Sequence, residues 1–312
     1  MTAEAPVRST SAPSTDVSDV SDVRPEGMGA RMLLGRPIAD QIRASIVRDL
    51  DLLRHRNAAL PGVSVILVGD DGPSSVYAGR ILHNAEQIGL PGRLLRLPAD
   101  SATTDVLHLI RAQNRDPSVA GVIVQMPLPP QVDRYAVIEE LDPAKDIDGI
   151  HPQNAGLLAL GYESFYPSCA EAAVTILRRH DIDIAGMRAV VIGRSNVVGK
   201  PAELLLLREH ATVTVCHRRT RDLAAEVQRA ELLIVAAGSP HLVRGDMVRP
   251  GAVVVDCGIN VVDGQIVGDV DGESVVAVAS ALTPVPKGVG PLTNAILMEH
   301  LARAVTRMTA TN

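Results

Sequence analysis

The sequence has very few aromatic residues: no tryptophan, four tyrosines and a single phenylalanine, Phe165, among 312 residues. Proteins that bind single-stranded nucleic acid stack the bases on aromatic side chains, so this scarcity argues against that class of function. The formal net charge of −6 also lacks the positive excess of a nucleic-acid-binding domain. Valine, leucine, isoleucine and alanine must supply the hydrophobic core.

Cysteine is also scarce, with Cys169, Cys216 and Cys257 far apart in the sequence. An odd number at these spacings predicts neither a disulfide framework nor a metal site, and it suits a reducing, cytoplasmic location. No apolar run approaches the ~18 residues of a membrane-spanning helix, so no membrane partner is expected. A chain of 312 residues, 46% of them hydrophobic, is long enough for two domains.

Residues 1–27 differ from the rest of the chain because they are rich in serine, threonine, proline, alanine and aspartate without any apolar period. This composition predicts a disordered leader. The segment has no hydrophobic region of a secretory signal. Its acidic residues, Asp16, Asp19, Asp22 and Glu26, argue against an organelle transit peptide.

Beyond Arg31, helical and strand patterns alternate, which predicts an α/β fold with parallel sheets and right-handed crossovers. Ser74 is the predicted N-cap of its helix, and residues 142–161 are a predicted loop. Helices are predicted over 38–53, 74–88, 103–114, 135–141, 170–180, 201–209, 223–229 and 290–308. Strands are predicted over 63–69, 94–97, 121–125, 189–192, 212–216, 231–236 and 252–256.

A glycine turn follows the predicted strand at Ala189–Ile192 and carries Gly193, Ser195 and Gly199 before a helix that opens near Pro201. Such a strand–turn–helix unit presents backbone N–H groups and a helix dipole to a pyrophosphate. The spacing is G-x-S-x-x-x-G, which differs from the common G-x-G-x-x-G. A βα turn without a ligand is the alternative.

The next predicted strand ends in Cys216-His217-Arg218-Arg219, without an acidic residue to bind a ribose 2′-hydroxyl. Together with Arg194, which can bind a 2′-phosphate, these basic residues favour NADP over NAD. Solvated arginine side chains are the alternative for Arg218 and Arg219.

Six motifs occur in the order of a known family, and the match runs from about residue 31 to 308. They are Val68-Gly-x-x-x-x-Ser74-x-x-Tyr77, Val124-Gln-Met-Pro-Leu-Pro129, Lys145-Asp-Ile-Asp-Gly149, Gly193-Arg-Ser-x-x-Val-Gly-x-Pro201, Val255-Asp-Cys-Gly-Ile-Asn260 and Thr283-Pro-Val-Pro-x-Gly-Val-Gly-Pro291. The chain resembles the bifunctional methylenetetrahydrofolate dehydrogenase/cyclohydrolase family.

This resemblance implies an α/β lobe that binds a tetrahydrofolate one-carbon derivative, over residues 28–166, with residues 291–312 packing back on it. It implies an NADP-binding Rossmann lobe over 167–290 and a homodimer formed through that lobe. It further implies catalytic roles for Tyr77, Gln125 and Asp148. The folate site would also include Val124, Pro286, Gly288, Gly290 and Pro291. The cofactor site would consist of Gly193, Arg194, Ser195, Val198, Gly199, His217, Arg218, Gly238, Cys257 and Ile259.

One departure from the family concerns catalysis. The family has a catalytic lysine four residues after the tyrosine, and this sequence has Ile81 there. Cyclohydrolysis moves protons and needs a titratable group near the one-carbon unit, whereas hydride transfer needs only positioning. The sequence therefore predicts a dehydrogenase that has lost or nearly lost cyclohydrolase activity. A specialised homologue acting on another imine or one-carbon adduct, and a silent folate- or NADP-binding protein, are the alternatives.

Two more departures lie on the folate side. The family's Pro-Cys-Thr-Pro stretch is Pro167-Ser-Cys-Ala170 here, and Lys287 replaces a glycine of the Pro-Gly-Gly-Val-Gly-Pro loop. Lys287 is either a surface cation or a group that reaches into the cleft and partly replaces the missing lysine.

Overall fold

The computed structural model describes residues 29–55 and 59–310, so the predicted leader lies outside the described residues. The helices are α1 (Gly35–Arg54), α2 (Gly72–Gln87), α3 (Thr103–Arg115), α4 (Arg134–Glu140), α5 (Pro152–Ala159), α6 (Ser168–Arg179), α7 (Gly199–Arg208), α8 (Leu223–Arg229), α9 (Gly272–Val275) and α10 (Val289–Ala310). The strands are β1 (Arg31–Met32), β2 (Gly62–Val68), β3 (Gly92–Leu97), β4 (Val119–Val124), β5 (Arg188–Ile192), β6 (Thr212–Cys216), β7 (Leu232–Val235), β8 (Val253–Asp256), β9 (Asn260–Val262), β10 (Gln265–Val267) and β11 (Ala281–Leu282). No described helix is long and apolar enough to cross a membrane.

The first lobe is built on a three-stranded parallel sheet with the strand order β3-β2-β4. Every residue of β2 and β4 is buried, which explains their continuous apolar sequences. Helix α2 packs on β2 and β3, and α3 packs on β4. The carboxyl ends of β2 and β4 therefore open at one edge, where the Tyr77 helix begins.

The second lobe is a six-stranded parallel sheet with the order β1-β11-β8-β7-β5-β6. The predicted α/β class, with a parallel N-terminal lobe and a Rossmann lobe, is confirmed. Two short strands were missing from the prediction, because β1 and β11 have only two residues each. Arg31 pairs with Ala281, and Met32 with Leu282. The predicted boundary is wrong at this point, since Arg31–Met32 belongs to the second sheet and not to the first lobe.

Helix α10 connects the two lobes because it packs against α1, α6 and the strands β2 and β4. Its buried residues are not confined to the predicted stripe of Leu292, Ile296, Leu297, Leu301 and Val305. Ala295, Met298, His300 and Ala304 are buried as well. Because this helix is buried nearly all round, its polar side chains must find hydrogen-bond partners inside the protein. His300 is one of them, with Ile147 and Glu171 as its partners.

Two local predictions are wrong. The N-cap of α2 is Asp71, whose carboxylate accepts the N–H of Ser74 at 2.9 Å. Ser74 is therefore inside the first turn of the helix and is not its N-cap residue. The predicted loop 142–161 contains α5, which His151 caps by accepting the Gln153 N–H through Nδ1 at 3.0 Å. Proline at the first position of α5 supplies a fixed φ.

Candidate active site

The substrate side starts where α2 meets the end of β4. The Ser74 hydroxyl donates chiefly to Oδ2 of Asp71 at 2.5 Å and also lies 3.3 Å from the backbone carbonyl of Met126, which brings these two elements together. Tyr77 lies one turn further along α2 and is half-buried. Val124 and Gln125 are buried at the end of β4. Ile81, one more turn along α2, is fully buried at 0% exposure.

Asp148 brings an acidic group to the same place. Its Oδ1 accepts the Ser168 hydroxyl at 3.3 Å, from the first turn of α6. Burial and the neighbouring Asp146 carboxylate raise the pKa of Asp148 to about 7, against the smaller opposing effect of the Ser168 hydrogen bond. Burial, and next the charge of Asp148, raise the pKa of the Tyr77 phenol. Tyr77 and Asp148 are therefore electrostatic neighbours, although they are 71 positions apart in the chain.

The second lobe contributes two thiols, those of Cys169 and Cys257, next to Tyr77 and Asp148. The pKa of Cys169 is lowered, chiefly by a hydrogen bond with the Cys257 thiol and with help from the Thr293 hydroxyl. Cys169 belongs to α6, Cys257 follows β8, and Thr293 lies on α10. The predicted folate residues and the predicted cofactor residue Cys257 thus meet at one point. Cys169 and Thr293 were missed, because nothing local in the sequence relates them to Cys257.

The loop before α10 holds the remaining predicted folate residues. Gly288 donates its N–H to the carbonyl of Pro284 at 2.8 Å, and Gly290 and Pro291 lie in the first turn of α10. Pro286 and Lys287 are exposed. Lys287 has a φ of 96°, in the left-handed region that favours glycine. This geometry explains why a glycine suits the position and shows that the lysine is held there under local backbone strain.

The predicted cofactor residues gather at the carboxyl edge of the second sheet. Ile192 of β5 pairs with Cys216 of β6 and with Val235 of β7, so the turns after these strands are adjacent. The chain passes from β5 to β6 on one side and then crosses back to β7 on the other side of β5, and ligands of doubly wound sheets bind at such a switch point. Gly193 has a φ of 119°, and a Cβ there would lie 2.1 Å from the carbonyl oxygen of Ala236. Only glycine fits this turn.

The first turn of α7 is closed by Ser195, whose hydroxyl accepts the N–H groups of Val198 and Gly199 at 3.1 and 3.4 Å. The helix begins at Gly199, two residues earlier than predicted. A Cβ on Gly199 would lie 2.2 Å from the Gly193 carbonyl oxygen. Within residues 29–55 and 59–310, the exposed N–H groups of Asn196 and Val197 donate to no protein acceptor. They are free to bind an anion at the helix N-terminus.

Basic residues follow β6 directly, at the same carboxyl edge of the second sheet. Arg194 and Arg218 are exposed, and His217 is half-buried with its Nδ1 accepting the Arg219 N–H at 3.1 Å. No acidic side chain follows Cys216 directly, so the edge is electropositive where a ribose 2′-substituent would lie.

A buried carboxylate that the sequence did not reveal supports the turn after β7. Asp269 is 0% exposed and accepts the N–H groups of Ala237, Gly238 and Ser239 at 2.6, 2.8 and 2.9 Å. This explains the left-handed Gly238, at φ 65°. Ile259, also predicted to meet the cofactor, is 71% exposed and directly precedes the β9–β10 hairpin. No group of three histidine, cysteine, aspartate or glutamate residues in the described ranges could hold a metal ion.

A Rossmann sheet with an anion-binding turn, facing a second α/β lobe with a buried acidic site, defines a two-lobed nucleotide-dependent enzyme class. Family models narrow this class. The tetrahydrofolate dehydrogenase/cyclohydrolase catalytic domain matches residues 33–148, and the NAD(P)-binding domain of the same family matches residues 167–309. The chain belongs to the tetrahydrofolate dehydrogenase/cyclohydrolase family.

Individual relatives agree with this assignment. The bifunctional protein FolD of Moorella thermoacetica is 44% identical over 281 residues, which cover 90% of this chain and all of that protein. The solved FolD dehydrogenase/cyclohydrolase of Campylobacter jejuni is 39% identical with a TM-score of 0.86, covering 88% of this chain and 98% of that one. The Trypanosoma brucei enzyme, solved with NADP and an inhibitor, is 32% identical with a TM-score of 0.85, covering 89% of this chain and 98% of that one.

Proposed function

We propose that this protein oxidises 5,10-methylenetetrahydrofolate to 5,10-methenyltetrahydrofolate with NADP as the hydride acceptor, and that it hydrolyses the methenyl product slowly or not at all. The proposal that hydrolysis is slow or absent rests on Ile81, which is 0% exposed one helical turn after Tyr77. An apolar side chain fills the position of the family's catalytic lysine.

The residues of the second lobe fit the cofactor. Gly193 lets the turn pass close to Ala236, and the free N–H groups of Asn196 and Val197 suit a pyrophosphate. Arg194 and Arg218 suit the 2′-phosphate. When bound, NADP⁺ supplies the acceptor for the hydride that leaves the methylene carbon.

The substrate residues hold the folate for that step. The Asp148 carboxylate can accept two hydrogen bonds from the 2-amino and N3–H edge of a pterin. Tyr77 lies beside Asp148 and is half-buried, so its ring and hydroxyl can border the folate. Oxidation needs no proton transfer, because the nitrogen lone pair of the folate expels the hydride. Positioning by these residues is then sufficient.

Hydrolysis makes a different demand on the same residues. Water adds to the methenyl carbon and loses a proton, so a titratable group must lie near that carbon. Isoleucine has no such group, and the nearby Arg80 guanidinium does not deprotonate in proteins. The Tyr77 phenol is a poor base, since burial and Asp148 keep its proton in place.

The test restores the missing group with Ile81→Lys and uses Ile81→Met as a matched apolar control of similar length. We expect wild type and Ile81→Met to oxidise methylenetetrahydrofolate but to hydrolyse methenyltetrahydrofolate at least ~100-fold more slowly than the Moorella relative. Ile81→Lys should recover ~10-fold or more hydrolysis. Thermal melting checks that each variant is folded. Wild-type hydrolysis equal to that of the relative contradicts the proposal.

A second candidate is oxidation of a different imine or one-carbon adduct. It is favoured by the clustering of departures on the substrate side, at Ile81, Cys169 and Lys287. NADP⁺ reduction followed optically with methylenetetrahydrofolate separates the two candidates. Turnover supports the first, and cofactor binding without folate binding supports the second. Binding of both ligands without turnover would instead indicate a silent binding protein.

We also propose a homodimer formed by the second lobe through the β9–β10 hairpin. Val261, Val262 and Ile266 on the hairpin are 73%, 38% and 51% exposed, and Ile259 directly before it is 71% exposed. So much apolar surface at one short hairpin is typical of an interface. Sedimentation of wild type and Val261→Lys should give a dimer and a weakened dimer, and a monomeric wild type contradicts the idea.

A cytoplasmic location is part of the proposal because all three cysteines are free thiols.

A further inference from the structure

His300 is a buried histidine that the proposed chemistry does not use. It lies on α10 at 1% exposure, against the ring of Phe165, with ring centroids 5.4 Å apart. Its Nδ1 is 2.8 Å from the backbone carbonyl of Ile147, and its Nε2 is 2.9 Å from Oε2 of Glu171. Ile147 is the residue directly before Asp148.

Both partners of the ring are hydrogen-bond acceptors. A carbonyl oxygen can only accept, so Nδ1 must carry a proton. Burial raises the pKa of Glu171, but the His300 hydrogen bond and the charges of His300, Arg303 and Arg178 together outweigh it, so the net pKa is lowered. Glu171 is therefore a carboxylate and also only accepts, which requires a proton on Nε2. An imidazole with protons on both nitrogens is a cation.

The His300 cation lies close to the Asp148 carboxylate, which is proposed to bind the folate. The charge of His300 lowers the pKa of Asp148, against burial and Asp146, which raise it to about 7. The hydrogen bond to Ile147 also fixes the peptide that carries Asp148. The ion pair thus affects both the position of Asp148 and its charge.

We propose that His300, which donates through both ring nitrogens to Ile147 and Glu171, is a positioning residue for folate binding: it holds the Ile147–Asp148 peptide and places a positive charge close to the Asp148 carboxylate. The inference rests on the proposed role of Asp148. It adds a buried ion pair, formed by residues 129 positions apart, as the support of that role.

Other charged groups surround this pair on α6 and α10. Arg178, Arg303 and Glu299 interact with the pair itself, Arg179 interacts with Glu299, and Asp146 interacts with Asp148. None of them contacts the Ile147 carbonyl among the hydrogen bonds of the described residues. Of the charged groups named here, all in the described part of the chain, His300 is the one that hydrogen-bonds to the peptide carrying Asp148.

The experiment measures the KM for methylenetetrahydrofolate, the KM for NADP⁺ and kcat between pH 5.5 and 9.5 in the full-length enzyme. It compares wild type with His300→Gln, Glu171→Gln and Met298→Leu. His300→Gln can still donate one hydrogen bond but has no charge, and Glu171→Gln removes the carboxylate that accepts from Nε2 of His300. Met298→Leu is the control, since Met298 is also buried on α10.

For wild type we expect the folate KM to fall as pH rises through about 7, because Asp148 must be ionised to accept from the pterin. In His300→Gln and Glu171→Gln the midpoint should move up by roughly 0.5 to 1 pH unit, with the folate KM at pH 7 raised ~3- to 10-fold. The NADP⁺ KM and kcat should stay within ~2-fold. At pH 9.5 the glutamine variants should approach wild type.

The outcomes separate the two ideas. Unchanged midpoints in both glutamine variants, or a loss that is equal at every pH, would overturn the positioning role while leaving the proposed function intact. A folate KM that does not respond to Asp148→Asn would instead contradict the proposed site itself. A midpoint shift in Met298→Leu as large as that in His300→Gln would assign the effect to helix packing.

Discussion

The two halves of the candidate site differ in how far they keep the family pattern. On the cofactor side, Gly193, Ser195 and Gly199 all occupy the turn that the motif implies, and the backbone around them leaves no room for larger residues at the glycines. On the substrate side, the buried Ile81 and the left-handed Lys287 lie where the resemblance implies a lysine and a glycine. Under the proposed function, the departures therefore lie in the half that would handle the one-carbon unit and not in the half that would bind the hydride acceptor.

The difference reflects what each reaction requires. Hydride transfer needs two ligands held side by side, which geometry alone provides. Hydrolysis needs a titratable group as well, and Ile81 cannot provide one. A cofactor half that keeps the family motif, beside a substrate half that departs from it, is therefore the pattern expected of the proposed dehydrogenase, which hydrolyses its product slowly or not at all.

The largest effect should come from Asp148→Asn, which keeps the shape of the side chain but removes its charge. Two charge-assisted hydrogen bonds to a pterin are at stake, at ~1.5 kcal/mol or more each, so the folate KM should rise ~100-fold or more. The NADP⁺ Kd should stay within ~2-fold, measured by titration of the folate-free enzyme. A larger effect on NADP⁺ than on folate would show that the two halves have been assigned wrongly.

A smaller effect is expected from Arg194→Ala on the cofactor side. Loss of one guanidinium–phosphate contact should lower kcat/KM for NADP⁺ by ~10- to 50-fold and leave kcat/KM for NAD⁺ nearly unchanged. Steady-state kinetics with both cofactors measures the ratio. Arg221→Ala is the matched control, because Arg221 is also exposed but is not among the basic residues predicted to favour NADP. Equal losses for the two cofactors would remove Arg194 from the 2′-phosphate site.

The smallest effect concerns Lys287. Lys287→Gly should relieve the positive φ of 96°, which costs ~1 kcal/mol for a residue with a Cβ, partly offset by the flexibility of glycine in the unfolded chain. A rise in Tm of ~1 to 3 °C is expected. Lys287→Ala should give no such rise, since it keeps the strain and removes only the charge. A loss of dehydrogenase activity in both variants would favour the hypothesis that the lysine reaches into the cleft.

Local patterns in the sequence predicted most of the long helices and the central strands, because each pattern arises from short-range constraints. Continuous apolar runs predicted β2 and β4, and the glycine turn predicted the entry to α7. Short elements escaped notice. The two-residue strands β1 and β11 carry no period at all, and their pairing of Arg31 with Ala281 joins opposite ends of the chain.

The features of the candidate site likewise fall into those that the sequence predicted and those that only the fold revealed. The sequence by itself determined the family resemblance, the glycine turn at Gly193 and the absence of a lysine at Ile81, since each is a matter of residue type at a fixed spacing. Only the tertiary structure decided that Asp269 supports the Gly238 turn and that His300 reaches Ile147 across 153 positions. Burial makes these polar groups find partners wherever the fold brings them, and no spacing along the chain records which partners those are.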